Sequence, residues 1–214
     1  MGKIKLPKLW IEYEVRDKDG KLLDKGKFKG QSWVGNITAF LRTLFKGGVT
    51  GTSTTPRYYS TSPTDMRDVD GTARGLALFE YSASTRLGAE AEAGVDAYGL
   101  RVGASDSAVA LGQYNLGIPI VHGSGAGQLL YGNTTVEDLS RNGTWLFRVV
   151  RTFTNGSGST VTVREFGLFV RLEVATVSPY MASIMFARDV PPSPINVPAG
   201  STLTLRYIIS QSLS

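Results

Sequence analysis

The clearest pattern of apolar and polar positions lies between Thr144 and Ser210. Residues 201–210 alternate, with Leu203, Leu205, Tyr207 and Ile209 on one face and Thr202, Thr204 and Arg206 on the other. Such alternation predicts a half-buried β-strand. Three more strands are predicted at 144–154, 160–172 and 180–188, because these segments are rich in aromatic and β-branched residues. The Gly-containing segment 155–159 predicts that the first two form a hairpin.

The apolar pattern changes phase inside the second of these strands. Val161 and Val163 lie on one face, whereas Phe166, Leu168 and Val170 follow in the opposite phase. Because a one-residue shift moves every side chain to the other face, the pattern predicts a β-bulge near residues 164–165.

The N-terminal region predicts a β-hairpin followed by a short helix. Residues 9–16 alternate, residues 17–20 (DKDG) form a turn, and residues 21–29 return as a basic strand. From Val34 the apolar residues recur at helical spacing as far as Phe45, and Gly47-Gly48 ends the helix. Residues 49–74 are polar and rich in Gly, Ser, Thr, Pro and Asp. A connection of this length in a compact domain is usually functional or mobile.

Together these patterns predict a mainly β protein. About eight strands after Arg74, separated by turns, favour a two-sheet antiparallel β-sandwich of jelly-roll type, with the N-terminal hairpin and one short helix added. Three segments are expected: an attachment region (1–48), a long polar loop (49–74) and the sandwich (75–214). One further expectation is that a set of apolar residues plugs the end of the core: Leu111, Tyr114, Leu116 and Ile118.

Charge supports the boundary near residue 48. All nine lysines lie within the first 46 residues, which carry eleven basic and five acidic residues, although the whole chain has a net charge of only +5. A basic hairpin has three interpretations: a lysine-protected edge strand, a surface for an acidic protein, or a nucleic-acid contact. Nucleic acid is not expected as a partner, because aromatic residues are not interleaved with the basic ones beyond Trp10 and Tyr13.

Aromatic residues of the N-terminal region are the predicted contact residues. Aromatic side chains are enriched at the centres of protein interfaces. The residues assigned to an interface on this ground are Trp10, Tyr13, Trp33, Phe40 and Phe45.

Candidate catalytic and metal-binding residues are few. The chain has no cysteine and one histidine, His122, for which a structural role is expected. Asp65, Asp68 and Asp70 precede Gly71 as in a calcium loop, but no Glu follows at the required spacing. Glu90 and Glu92 lie in a Gly-rich loop, a poor place for acid–base chemistry. No catalytic, cofactor or metal site is therefore assigned.

The N-terminus lacks the long apolar core of a signal peptide, and no apolar run is long enough to cross a membrane. We therefore expect synthesis in the cytoplasm and no insertion into a membrane.

Several segments together resemble a known group of proteins. RTFTNGSGSTVTVREFGLFV, FARD and INVPAGSTLTLRY follow one another, and RVGASDSAVALGQYNLGIPI lies upstream. In this order they resemble β-sandwich virion proteins of tailed bacteriophages and related archaeal viruses, over about residues 98–210. The resemblance implies a non-enzymatic structural part of a virus particle.

The expected function is therefore assembly into or onto the virion, as a head or vertex decoration or as a tail or neck component. The expected partners are copies of the chain itself, in a homo-oligomer, and other virion proteins. An alternative is a receptor- or carbohydrate-binding module of a virion appendage, in which Tyr58 and Tyr59 hold a host surface glycan. A second alternative is a glycan-cleaving enzyme that uses Glu165, an acid predicted to point inward.

Overall fold

The structure is a computed structural model that describes residues 8–30, 33–37, 58–59, 66–78, 88–139, 144–175 and 180–212. The described part contains twelve strands, and residues 35–37 are helical. The strands are β1 (Lys8–Arg16), β2 (Leu22–Lys29), β3 (Tyr58–Tyr59), β4 (Gly75–Leu78), β5 (Gly99–Gly103), β6 (Leu130–Asp138), β7 (Thr144–Thr154), β8 (Val161–Val163), β9 (Glu165–Ala175), β10 (Tyr180–Asp189), β11 (Ile195–Val197) and β12 (Thr202–Ser212).

One sheet contains five antiparallel strands in the order β2-β1-β12-β7-β6, and we call it the main sheet. The alternation seen in the sequence explains its inner face, because Leu203, Leu205 and Tyr207 of β12 are fully buried. The strand predicted for this segment is thus confirmed. Its opposite face carries Thr204 and Arg206, and the Arg206 guanidinium lies 2.9 Å from a Glu14 carboxylate oxygen on β1.

A second sheet has the order β10-β9-β4-β3, with β5 also paired to β9, and a two-stranded ribbon joins β11 to β8. One continuous apolar core joins all three units. Phe153 of the main sheet, Phe166 of β9 and Val163 of the ribbon belong to the same buried cluster. The predicted fold class is confirmed: the protein is mainly β, with antiparallel sheets and one short helix.

The predicted hairpin of residues 144–154 and 160–172 is wrong. β7 pairs with β12 and β6, whereas β8 pairs with β11. Residues 155–159 instead form a corner held by buried Asn155, whose side-chain amide donates to the carbonyls of Ser159 (2.8 Å) and Val197 (2.7 Å). The Asn155 side-chain oxygen accepts the Ser157 amide at 2.9 Å, so the side chain fixes a change of sheet rather than a tight turn.

The phase change after Val163 also has a different cause from the predicted bulge. β8 ends at Val163 and β9 begins at Glu165, so Arg164 separates strands that belong to different sheets. The Arg164 amide donates to the Gly103 carbonyl at 2.8 Å. Because the chain moves to a new sheet here, the positions that face the common core change phase without an extra residue.

The division into an attachment region (1–48) and a separate sandwich (75–214) needs correction for the hairpin. β1 pairs with β12 along all nine of its residues, and Ile11 and Val15 are fully buried in the common core. Phe28 of β2 stacks on Phe166 of β9, with ring centroids 6.2 Å apart. The hairpin therefore shares the core of the other strands, even though its lysine content differs from that of the rest of the chain.

The helix and the long polar loop are described only in part. Residues 35–37 are helical where the helix was predicted to begin, and the remainder of that predicted helix lies outside the described residues. Within the predicted loop 49–74, β3 pairs with β4 and residues 66–74 form a turn. The Asn36 side chain joins these regions, because its amide donates to the Arg67 carbonyl at 2.9 Å and to the Met185 carbonyl at 3.1 Å.

Candidate interaction site

The buried pair Glu165–Arg188 organises one long loop of the protein. Both side chains are fully buried, and Arg188 Nε lies 2.8 Å from Glu165 Oε2. Glu165 also accepts the amides of Ser105 (3.2 Å), Gly117 (3.0 Å) and Ile118 (2.9 Å). Both carboxylate oxygens are thus occupied by the fold, which gives Glu165 a structural role in place of the catalytic role considered for it.

Arg188 holds the opposite side of the same loop. Its guanidinium donates to the Ser107 carbonyl at 2.9 Å, to the Ser107 hydroxyl at 3.1 Å and to Gln113 Oε1 at 3.3 Å. The loop is closed by a 2.8 Å hydrogen bond from the Ala104 amide to the Ile118 carbonyl. We call residues 104–118 the anchored loop. One buried ion pair therefore contacts both arms of a segment that contains no strand. At the tip, the Leu111 carbonyl accepts the Gly35 amide at 2.8 Å.

The anchored loop presents apolar side chains to solvent. Leu111 is 77% exposed, Ile118 58% and Tyr114 38%, whereas Leu116 is buried. The expectation that all four residues plug the end of the core is wrong for three of them. Leu116 alone inserts, into a small cluster that contains Phe169 and Met185. The sequence shows that the loop contains apolar residues. Whether they face the core or the solvent depends on the contacts of Glu165 and Arg188, which are distant in the chain.

A second buried cation, Arg151, joins residues 92–100 to the main sheet. It is 1% exposed, and it donates to the carbonyls of Gly132 (2.9 Å), Tyr98 (3.1 Å) and Leu100 (3.0 Å), as well as those of Glu92 and Val95. The guanidinium also lies 4.6 Å from the centre of the Tyr131 ring. Burial lowers the pKa of Arg151 to about 10, so the group is still a cation at neutral pH.

His122 and Asp96 hold the same region together. The His122 backbone amide donates to Asp96 Oδ2 at 2.8 Å, and His122 Nδ1 accepts the Tyr131 amide at 3.1 Å. The structural role predicted for this histidine agrees with these contacts.

Asp68 of the suspected calcium loop is used by its own turn. Its Oδ1 accepts the amides of Asp70 (3.0 Å) and Thr72 (2.9 Å), and its Oδ2 accepts Arg74 Nε at 2.6 Å. Asp65 lies outside the described residues. Within the described part of the chain, no three His, Cys, Asp or Glu residues are grouped as metal ligands.

The lysine-rich strand β2 forms an outer edge of the main sheet. Lys25, Lys27 and Lys29 are exposed, and Lys27 Nζ lies 2.7 Å from Glu12 on β1. The structure therefore places these three lysines on a sheet edge.

Three of the predicted interface aromatics are described, and all three are half-buried. Trp10 lies on the outer face of the sheet, with Lys27 Nζ 5.6 Å from its ring centre. Tyr13 packs against the core and donates to Asp24 Oδ2 at 3.3 Å, and its pKa is raised by burial and by the charge of Asp24. Trp33 packs between two apolar clusters. The contact role of these residues stays a prediction.

The other predicted residues are not described at side-chain level. Phe40 and Phe45 lie outside the described residues. Tyr58 and Tyr59 pair through their backbones with Leu78 and Ala77 of β4, so they lie in a strand rather than a loop. Their side chains lie outside the described part of the structure, and the ligand role stays a prediction.

Comparison with protein-family models, with curated proteins and with solved structures found no match to this chain. The described residues contain no helix that is both long enough and apolar enough to span a membrane.

Proposed function

We propose that this chain is a non-enzymatic structural protein of a virus particle, and that it assembles into or onto the head or tail through the anchored loop. The observation that carries the proposal is the exposure of Leu111 and Ile118 on a loop that a buried ion pair holds in place. A connecting loop is normally polar, because it runs over the surface in contact with water.

Rigidity makes the exposed side chains suitable for assembly. A flexible loop loses conformational entropy when it is ordered by a partner, and that loss weakens binding. In the anchored loop, Glu165 and Arg188 already fix the backbone around Ser107 and Gly117. The apolar area of Leu111 and Ile118 can then be buried against a neighbouring subunit without this cost.

The resemblance of residues 98–210 to β-sandwich virion proteins supplies the biological setting of the proposal. The anchored loop falls inside the resembling segment RVGASDSAVALGQYNLGIPI. The buried charged side chains bond to other groups of the fold, as expected of a structural protein. They are Glu165, Arg188 and Arg151.

The assembly part of the proposal is tested with variants of the loop. The full chain should form an oligomer in light scattering after size exclusion, and Leu111→Ser with Ile118→Ser should shift it to monomer. Leu130→Ser with Val136→Ser is the matched control, because these strand residues have exposed fractions of 38% and 43%. An oligomer unchanged by the loop variants, or a monomeric parent protein, would argue against assembly of the free chain through this loop.

The virion part is tested by quantitative mass spectrometry of purified virus particles from cells that carry this sequence. Peptides of the chain should be present in a fixed ratio to the major capsid protein across the particle peak of a density gradient. Peptides found only in the soluble fraction of the lysate would overturn the proposal.

A further inference from the structure

The edges of the sheets differ in how they are covered. The outer edge of β6 is occupied by residues 90–94, since the Thr134 amide donates to the Ala91 carbonyl at 2.7 Å and the Gly94 amide to the Tyr131 carbonyl at 2.9 Å. Along β10, the Phe186 carbonyl accepts the Val34 amide at 2.9 Å. The chain thus covers two of its own edges, which protects them from unwanted pairing.

The outer edge of β2 has no such cover within the described part of the chain. β2 pairs with β1 on one side, and no other described strand pairs with it. The Gly30 amide donates to the Leu9 carbonyl at 2.9 Å. Because bonded and non-bonded pairs alternate along an antiparallel ladder, the amides and carbonyls of Lys25, Lys27 and Lys29 point away from β1. This edge therefore offers donors and acceptors to an incoming strand.

The same three residues place their charges beside that edge. Lys25, Lys27 and Lys29 pair in register with Glu14, Glu12 and Trp10, which puts their side chains on the outer face of the sheet. Glu12 neutralises Lys27, and no ion pair is found for Lys25 or Lys29 in the described structure. Side chains directly opposite on neighbouring strands interact, and opposite charges stabilise the pair.

We propose that the β2 edge binds an extended acidic segment of a partner protein as a sixth strand of the sheet. A second copy of β2 is a poor occupant, because antiparallel pairing would bring lysine against lysine. A strand with acidic residues at alternate positions matches the charges and uses the free backbone groups. Exposed Leu22 and Leu23 at the start of β2 would contact apolar residues of that segment. The proposal rests on the assembly function, since the partner would be a neighbouring virion protein.

The test uses the isotope-labelled full chain and a capped eight-residue peptide in which Glu alternates with Val and Thr. NMR should show shifts at residues 25–29 on titration, and slowed hydrogen exchange at the amides of Lys25, Lys27 and Lys29. The amides of Gly26 and Phe28 already face β1, so their exchange should change less. Binding should weaken by about tenfold or more between low and high salt, because exposed charges are screened.

Two variants at one position separate pairing from charge. Lys25→Gln keeps the outward amide and should weaken binding by about twofold to fivefold, as expected for one exposed ion pair. Lys25→Pro removes the amide as well, without removing a hydrogen bond to β1, and should abolish detectable binding. Equal binding of the Gln and Pro variants would overturn strand pairing. The exchange pattern of the parent protein decides the same question if the Pro variant does not fold.

Three other outcomes would also overturn the proposal: no binding of the acidic peptide, equal binding of a peptide with Lys in place of Glu, or tighter binding of a short DNA duplex. Failure of the peptide to bind a chain that is present in virus particles would reject the edge proposal alone. Peptide binding by a chain that is absent from particles would instead reject the viral function.

Discussion

At the scale of single residues, the interior depends on charged groups that are paired with the backbone. Arg151 donates to five carbonyl groups and has no carboxylate among these partners. Its planar guanidinium carries five N–H donors in a fixed arrangement, whereas an ammonium group carries only three. Arg151 thereby ties residues 92–100 to β7 and to the Gly132 carbonyl on β6.

Replacing Arg151 should be strongly destabilising. Arg151→Met leaves buried carbonyl oxygens without a donor, and each unsatisfied group costs about 1–3 kcal/mol, so the free energy of unfolding should fall by about 3 kcal/mol or more. Arg148→Met is the matched control, because Arg148 is one third exposed and pairs with Glu137 at 2.6 Å. Its loss should cost about 1 kcal/mol or less. Urea unfolding of both variants checks this, and equal effects would show that the buried contacts contribute little.

The burial of Tyr131 predicts that the protein loses stability in alkali. Burial raises the pKa of Tyr131 from 10.0 to about 12, because the charged phenolate would lose its hydration inside the core. The Tyr131 hydroxyl donates to the Ile120 carbonyl at 2.6 Å. The folded pKa lies above the unfolded value, so its contribution is complete below pH 10 and is lost as the pH rises towards 12.

The free energy of unfolding of wild type should therefore fall by up to about 3 kcal/mol relative to that of Tyr131→Phe over this pH range. Urea unfolding at several pH values measures the difference. Leu130→Ser removes no titrating group, so its free energy of unfolding should change with pH in the same way as that of wild type. A constant difference between wild type and Tyr131→Phe would show that Tyr131 ionises equally in both states.

At the scale of elements, the anchored loop depends on Glu165. Glu165→Gln leaves the Arg188 cation buried without its counter-charge, which should cost about 3–5 kcal/mol. The amides of Gly117 and Ile118 should also exchange faster than the loss of global stability explains, because they bond to the Glu165 carboxylate. Hydrogen exchange by NMR distinguishes the local effect from the global one.

A double variant separates the charge from the anchoring. Glu165→Leu with Arg188→Met removes both charges and should regain part of the stability, since an apolar pair avoids the cost of burying ions. The loop amides should stay unprotected in this variant. Restored protection would show that packing, rather than the ion pair, holds the loop. Glu137→Gln, at an exposed ion pair, is the control with little expected effect on either measurement.

Individual strands were easier to predict than their partners. The buried face of β12 follows directly from alternation, because one side of the strand meets the core and the other meets water. The pairing of β7 did not follow, since the segment after it contains Gly and Ser as a hairpin turn would. The deciding contacts of Asn155 reach Val197, which is far along the chain. Local sequence cannot show such a partner.

At the scale of the whole molecule, the hairpin β1–β2 should be essential for folding. Deleting residues 1–30 exposes the edge of β12 and removes the buried side chains of Ile11 and Val15, each worth about 1.5–3 kcal/mol. The loss of several such side chains together with a full strand approaches the whole stability of a typical domain, about 5–15 kcal/mol.

The truncated chain should therefore show no cooperative thermal transition by circular dichroism. Leu22→Ser with Leu23→Ser, at side chains of β2 that are 37% and 45% exposed, should keep a transition close to that of wild type. A folded fragment from residue 31 onward would show that the hairpin is a separable unit after all, as its composition alone suggests.

The sequence by itself determined the class of the fold, the buried face of β12 and the basic character of the N-terminal hairpin. These properties depend on the period of apolar residues and on local charge, which neighbouring residues carry. The tertiary structure alone decided that β1 joins β12, that the anchored loop turns Leu111 and Ile118 outward, and that Glu165 is paired with Arg188. Each of these depends on contacts between residues far apart in the chain, whose energies are set by burial and geometry rather than by local pattern.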